Sequence, residues 1–310
     1  MEDERRWEDL KMDCLVKVFE RVGVESLLLD VPFVCKSWHK ATLNPSSWKN
    51  LVFPEFEPEP FEFDPYPFYE RFLTEYRVGE DRFSVTDFIK LVVNRSRGSA
   101  VSVKLPGCCP DEAFEHVANV CPDLVILGLP RFLLYGSINV ELIGKFKCLA
   151  ILSLGCCHEL EKILAVVSVH CKFLLHLILS NADVGKDEAT AIVNLVPNIK
   201  RLTLHRATID KDNLVVLLQG CKDLDYLDAT DCIGFNEDDE EISQLASNIK
   251  MFMCEGSKER SEISVAFEAM MSEMQNFDFS QLATMFAEVD GDEEEVDEEV
   301  NEEGSSTPNI

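Results

Sequence analysis

The residues with the greatest capacity for chemistry are cysteines and histidines near the middle of the chain. Cys156, Cys157 and His158 stand together, and His170 and Cys171 follow a short distance later. Thiolates and imidazoles are the ligand types that zinc prefers. Their spacing matches no zinc-binding pattern, so we expect no metal at this place.

A cysteine nucleophile would need a base and an orienting group nearby in space. The sequence contains no Gly-rich phosphate loop, no His-Glu-x-x-His element and no Gly-x-Ser-x-Gly element. We therefore expect a protein that is not an enzyme and needs no cofactor. The opposing hypothesis, a thiol or zinc hydrolase, predicts a stoichiometric metal or a thiol of unusual reactivity.

An internal repeat with a period of 25 residues organises most of the chain. In each repeat, two apolar columns lie two residues apart, which places both on one face of a short strand. The column that opens each repeat holds Leu124, Leu149, Leu174, Ile199, Leu224 and Ile249. The first strand column holds Leu127, Leu152, Leu177, Leu202, Leu227 and Phe252. The second strand column holds Leu129, Leu154, Leu179, Leu204, Ala229 and Cys254.

Upstream of each strand the apolar residues recur with helical spacing, as at Leu214, Leu217, Leu218 and Cys221. A column that accepts Phe, Val and Ala as well as Cys is a packing position, so its cysteines are expected in the core. The last column of this stripe holds Cys121, Phe146, Cys171, Val196, Cys221 and Ala246.

A Leu-x-x-Leu-x-Leu strand followed by a helix resembles the leucine-rich repeat, and the shared column of Cys157 and Cys232 resembles its cysteine-containing subtype. This resemblance implies an α/β solenoid of about six to seven strand-helix repeats. Ala100, Val103 and Leu105 fit an additional strand at its start. A helix over residues 84–95 is expected to cover the first unit.

Residues 7–51 contain three short helix-like pieces that resemble the F-box. One position departs from that motif, because Lys11 stands where the F-box usually has Pro, and a looser first turn is expected there. The matching elements are Trp7-x-Asp9-Leu10, Leu15 with Val18-Phe19, Val34-Cys35-Lys36-x-Trp38, and Pro45 with Trp48.

An F-box followed by leucine-rich repeats resembles the plant F-box/leucine-rich-repeat family described as Skp-interacting. The resemblance implies a substrate receptor of an SCF-type ubiquitin ligase, which binds a Skp-type adaptor and through it a cullin. The alternative is a free-standing repeat scaffold whose N-terminal helices only cap the first repeat. Adaptor binding is predicted for Leu10, Leu15, Val18, Phe19, Leu28, Val31, Val34, Cys35, Trp38 and Trp48.

The strand residues that alternate with the core columns should point to the concave side of a solenoid, a frequent binding surface. In the first repeats these are mostly apolar: Ile126, Gly128, Ile151 and Ser153. The residues of the later repeats carry charge and an aromatic ring, and we predict that they bind the target. They are His176, Arg201, Thr203, Tyr226, Asp228, Met251 and Met253.

The predicted domains are the F-box at 1–51, a linker at 52–83, the capped solenoid at 84–256, a helical cap at 257–289 and an acidic tail at 290–310. The linker is rich in Phe, Pro and Glu, and its prolines are expected to prevent regular structure. A linker packed by its aromatic rings is favoured over a second peptide-recognition element. The tail is expected to be disordered and solubilising.

The net charge of the chain favours some classes of binding partner over others. The chain carries a formal charge of -28, which disfavours nucleic acid and favours a basic protein as the unknown target.

Residues 163–179 are the most membrane-like stretch, but His170 and Lys172 interrupt it, so we expect a helix, a turn and a strand instead. Twelve cysteines without a secretory signal indicate reduced thiols and a cytoplasmic or nuclear protein.

Overall fold

The computed structural model describes residues 10–54, 67–135 and 138–260. The chain divides into two compact units, Met1–Glu259 and Arg260–Ile310, and only Arg260 of the second lies within the described ranges. The predicted helical cap and acidic tail therefore lie almost entirely outside the described residues, as do Trp7 and residues 55–66 of the predicted linker.

The N-terminal module consists of short helices whose buried residues form one end of the core. Trp48 is fully buried, and its Nε1 donates a hydrogen bond to the carbonyl oxygen of Thr42 over 2.7 Å. The helices are α1 (Met12–Phe19), α2 (Val24–Leu29), α3 (Val31–Val34) and α4 (Lys36–Thr42), followed by a 3-10 turn at Pro45–Trp48.

Lys11 occupies the N-cap of α1 without loosening the turn that follows. Its carbonyl oxygen accepts hydrogen bonds from the backbone N–H groups of Cys14 at 2.9 Å and Leu15 at 3.1 Å. Its backbone has φ -59° and ψ 145°, and this φ is one that proline adopts without strain. The first turn is therefore formed despite the absence of Pro.

We accordingly expect Lys11→Pro to raise the free energy of unfolding by about 0.4–1 kcal/mol, because proline restricts the unfolded chain at no cost to this backbone. Urea denaturation would measure the change. Lys17→Pro, inside the same helix, should instead cost about 3 kcal/mol. A destabilised Lys11→Pro protein would show that the N-cap geometry is wrong.

The solenoid is an eight-stranded parallel sheet in which every strand pairs with its neighbours in chain order. Leu127, Leu177 and Leu227, the central residues of three strands, have no exposed surface, as the repeat predicts. The strands are β1 (Asn50–Val52), β2 (Ser102–Lys104), β3 (Ile126–Leu129), β4 (Ile151–Leu154), β5 (His176–Ile178), β6 (Arg201–Thr203), β7 (Tyr226–Asp228) and β8 (Met251–Met253).

The helices between the strands bury the predicted apolar stripes against this sheet. Residues 163–179 form a helix, a turn and a strand, as expected. The helices after α4 are α5 (Pro67–Tyr76), α6 (Val85–Ser96), α7 (Asp111–Val120), α8 (Arg131–Tyr135), α9 (Leu160–His170), α10 (Lys186–Leu195), α11 (Lys211–Gly220) and α12 (Glu240–Leu245), with 3-10 turns at Glu80–Arg82, Val140–Lys145 and Ala246–Asn248.

The sheet begins one strand earlier in the chain than the sequence predicts. Leu51, which the prediction assigned to the end of the F-box, is fully buried in β1 and pairs with Val103. The predicted capping helix is present as α6, and the Ser84 hydroxyl accepts a hydrogen bond from the backbone N–H of Asp87 at its start. The first repeat strand and the N-terminal module thus share one continuous core.

The expectation of no regular structure in the linker was wrong for its last part, which forms α5. Pro67 stands at the first position of this helix, where its missing N–H costs nothing, and the nine residues after it contain no proline. Phe72 packs edge-on against Phe88 of α6, with ring centroids 5.0 Å apart. Arg71 pairs with Asp30 over 2.5 Å, and this lowers the pKa of Asp30. The helix therefore ties the N-terminal module to the first repeat.

Candidate functional site

The ten predicted adaptor-binding residues divide into core and surface. Val18 and Val34 are exposed, with 48% and 58% of their residue surface accessible, whereas Leu10, Cys35 and Trp38 are partly buried. A side chain with no accessible surface cannot contact a partner without unfolding. The fully or nearly fully buried members, which belong to the core of the module, are Leu15, Phe19, Leu28, Val31 and Trp48.

Two further apolar side chains belong to the exposed part of this module. Phe33 is 61% exposed and Leu43 is 56% exposed, and neither was predicted. Extended backbone at Cys35, with φ -162° and ψ 170°, separates α3 from α4 and leaves Phe33 and Val34 at the end of a single helical turn. We use the name docking face for the four exposed apolar side chains of this module, Val18, Phe33, Val34 and Leu43.

Trp38, on α4 of the same module, carries an unusual polar group. Its ring meets Phe19 edge-on at a centroid distance of 5.3 Å. Its Nε1 is buried and finds no hydrogen-bond acceptor among the described residues. A buried donor without a partner costs about 1–3 kcal/mol.

A cavity of about 350 Å³ lies between α3 and α4. Pro32, Phe33 and Cys35 line one part of it, and Lys36 and His39 line the other. The site therefore combines an apolar rim with cationic or titratable side chains. Such a surface suits a partner that offers an apolar anchor together with a carboxylate.

The concave face is built from two parallel rows of side chains, because the strands pair in register. His176, Arg201, Tyr226 and Met251 are consecutive members of one row. Ile178, Thr203, Asp228 and Met253 form the other row. All seven residues predicted to bind the target thus stand on adjacent strands, and all are at least partly accessible.

Contacts within these rows join the polar members into one cluster. The guanidinium carbon of Arg201 lies 3.9 Å from the centre of the Tyr226 ring, a cation–π geometry. His176 Nε2 is 3.0 Å from the hydroxyl oxygen of Thr203. Burial, followed by the charge of Arg201, lowers the pKa of His176. The lowered pKa favours the neutral imidazole, which has one N–H donor and one nitrogen acceptor.

Asp228 is held at the edge of the cluster by its own repeat. Its Oδ1 accepts hydrogen bonds from the backbone N–H of Thr230 at 3.1 Å and from the Thr230 hydroxyl at 2.7 Å. Met251, which is 53% exposed, extends the surface with an apolar side chain. The far half of the concave face therefore offers charge, aromatic surface and flexible apolar surface together.

The buried cysteines have the character of packing residues. Burial raises the pKa of Cys109 to about 12 and the pKa of Cys221 and Cys232 to about 11. Burial also raises the pKa of Cys157. In the part of the chain that the structure describes, no group of three or more His, Cys, Asp and Glu residues is arranged to hold a metal ion.

We expect a disulfide-exchange reagent at about pH 8 to react first with Cys14, the exposed thiol, because the thiolate is the reactive form and burial disfavours it. Cys221 and Cys232 should react only after denaturation. Mass spectrometry of the labelled peptides would measure the order. Rapid labelling of Cys232 in the native protein would contradict a core position.

Comparison with known proteins supports the same architecture. The chain is 24% identical over 259 residues to F-box protein FBW2 of Arabidopsis thaliana, an alignment that covers 80% of this chain and 74% of that protein. An F-box/LRR-repeat protein of the same plant is 26% identical over 229 residues, covering 72% of this chain and 71% of the relative. F-box protein SKIP1, also from Arabidopsis, is 25% identical over 271 residues, covering 80% and 86%. No family model matches the chain.

Fold and surfaces together define a leucine-rich-repeat solenoid that carries an N-terminal helical module with an exposed apolar face. The chain is a homologue of the plant F-box/LRR-repeat proteins, and the resemblance seen in the sequence is confirmed. None of the described helices has the length and apolar character required to cross a membrane.

Proposed function

We propose that the protein is the substrate-recognition subunit of an SCF-type ubiquitin ligase. The N-terminal module binds a Skp-type adaptor, the adaptor binds a cullin, and the concave face of the repeats holds the target. The protein itself performs no bond-making step. It contributes proximity and orientation, while the chemistry of ubiquitin transfer belongs to other subunits. We place this activity in the cytoplasm or nucleus.

The docking face is the observation that carries the proposal. Val18, Phe33, Val34 and Leu43 expose 48–61% of their surfaces on a module whose core is otherwise complete. These four side chains are taken to form one patch, because contiguous exposed apolar surface marks an interaction site. A module that served only to cap the first repeat would have no need of them, because α5, α6 and the turn at Pro45–Trp48 already make that contact.

Two-step capture tests the proposal. The tagged full-length chain is mixed first with a purified Skp-type adaptor, and then with adaptor and cullin. We expect stoichiometric retention of the adaptor, and retention of the cullin only when the adaptor is present. The alternative, a free-standing scaffold, predicts that neither is retained.

A further inference from the structure

The described surface contains a second cavity, which lies at the carboxyl ends of β2 to β5 and has a volume of about 380 Å³. The cavity exists because small residues interrupt one of the two rows of side chains on the concave face. Gly128 and Ser153 occupy the positions that Ile178, Thr203 and Asp228 fill in later repeats. The lining residues include no acidic side chain: Lys104, Gly128, Leu129, Pro130, Arg131, Ser153, Leu154, Gly155, Ser180 and Asn181.

Lys104 is placed to serve this cavity. It is exposed at the end of β2, and it pairs with Gly128 of the next strand. A Cβ atom on Gly128 would lie 3.1 Å from Cγ of Lys104, so the lysine stem lies closely over the glycine. The missing side chain of Gly128 thus leaves room for the Lys104 stem, and Lys104 and Ser153 line the same cavity.

Neutral hydrogen-bond donors complete the lining. The hydroxyls of Ser153 and Ser180 and the amide of Asn181 make no side-chain hydrogen bond to another described residue. Arg131 adds a second positive charge at the wall. Two cations and three neutral donors without any carboxylate form a local environment that attracts an anion. The chain as a whole carries a charge of -28, so this cavity has the opposite character from most of the surface.

We propose that this cavity binds an anionic side chain, a carboxylate or a phosphate, presented by an extended segment of the target protein. The proposal rests on the proposed function, since the occupant is the target. It also reverses, for this part of the surface, the preference for basic partners that the net charge suggests. The His176 and Arg201 cluster on the adjacent strands continues the same positive or neutral character along the segment.

Binding of degenerate peptide pools to the purified full-length chain tests the inference. The pools share random flanks and differ only in the central residue, which is phosphoserine, Glu, Ala or Lys. Fluorescence polarisation at about 0.15 M salt measures the affinity for each pool. We expect the phosphoserine pool, the Glu pool or both to bind about tenfold or more tightly than the Ala pool, and the Lys pool to bind most weakly.

Two variants link that preference to the cavity. Lys104→Glu should abolish the preference, and Ser153→Ile should do so by filling the space with the residue that the next repeat already carries at the equivalent position, Ile178. Lys222→Glu is the matched control, since Lys222 is also exposed but lies at the amino-terminal edge of the strands. It should leave the preference unchanged.

Equal binding of all pools would overturn the inference. An equal loss of the preference for anionic pools in Lys104→Glu and Lys222→Glu would overturn it as well. Competition by inorganic phosphate without any difference between pools would show a small-anion site only, which also contradicts it. Adaptor capture is measured on the same preparations. Failure of adaptor capture alongside an intact pool preference would count against the ligase role and not against the cavity.

Discussion

Val34→Asp is expected to weaken adaptor capture by roughly 100-fold or more without changing the thermal unfolding midpoint. Val34 is 58% exposed, so the folded chain gains a solvated carboxylate at no cost to its core. In the complex the same carboxylate would be buried against apolar surface, and an uncompensated buried charge costs several kcal/mol. Immobilised adaptor and graded concentrations of each protein would measure the loss.

Val169→Asp provides the matched control, because Val169 is 60% exposed but lies on α9 in the middle of the solenoid. It should bind adaptor as the unaltered protein does. If Val34→Asp binds normally, or if Val169→Asp fails equally, the docking face has been placed on the wrong surface.

Trp38→Ala should also abolish capture, since a partly buried aromatic anchor commonly dominates an interface. It removes the contact with Phe19 as well, so its effect combines docking with packing in the module. The repeats should remain folded, because each repeat depends chiefly on its neighbours. Val34→Asp therefore separates docking from stability more cleanly than Trp38→Ala does.

Leu177→Ala is expected to lower the free energy of unfolding by about 2–5 kcal/mol. Leu177 is fully buried at the centre of β5 and pairs with Leu152 and Leu202 on the flanking strands. Removing three carbon atoms leaves a cavity that the tightly packed solenoid closes only in part. Urea denaturation followed by circular dichroism would give the change.

Leu175→Ala, two residues earlier, is the appropriate comparison. Leu175 is 50% exposed, and its replacement should change stability by no more than about 0.5 kcal/mol. Similar losses at both positions would contradict the burial of Leu177 and the exposure of Leu175. A large difference would support one elongated core.

The repeats could be predicted from the sequence because their spacing is constant. With 25 residues between equivalent positions, the register of β3 to β8 follows directly, and Leu127, Leu152, Leu177 and Leu202 are all buried as the pattern requires. Periodicity carries this information because each unit must bury its apolar face against the next.

The first strand could not be found in the same way. Leu51 of β1 pairs with Val103, an interval more than twice the repeat period, and the intervening chain holds the linker and two helices. A strand of three residues also gives too little alternation to be recognised by itself. Its position became clear only through its pairing with β2.

The sequence also could not divide the residues of the predicted F-box into core and surface. Helices of four to eight residues make barely one or two turns, so an apolar stripe does not show which side a neighbour covers. Val34 continues the apolar pattern of Leu28 and Val31, yet it is exposed because α3 ends beside extended backbone at Cys35. Phe33 was missed for the same reason.

Hydrogen–deuterium exchange of the full-length chain with and without a Skp-type adaptor tests the central claim most directly. The claim is that one protein carries two separate surfaces, a helical module for the adaptor and a repeat face left free for the target. Adaptor binding should slow exchange within residues 12–42 and leave β5 to β8 unchanged. Slower exchange in those strands, or no change anywhere in the module at saturating adaptor, would contradict it.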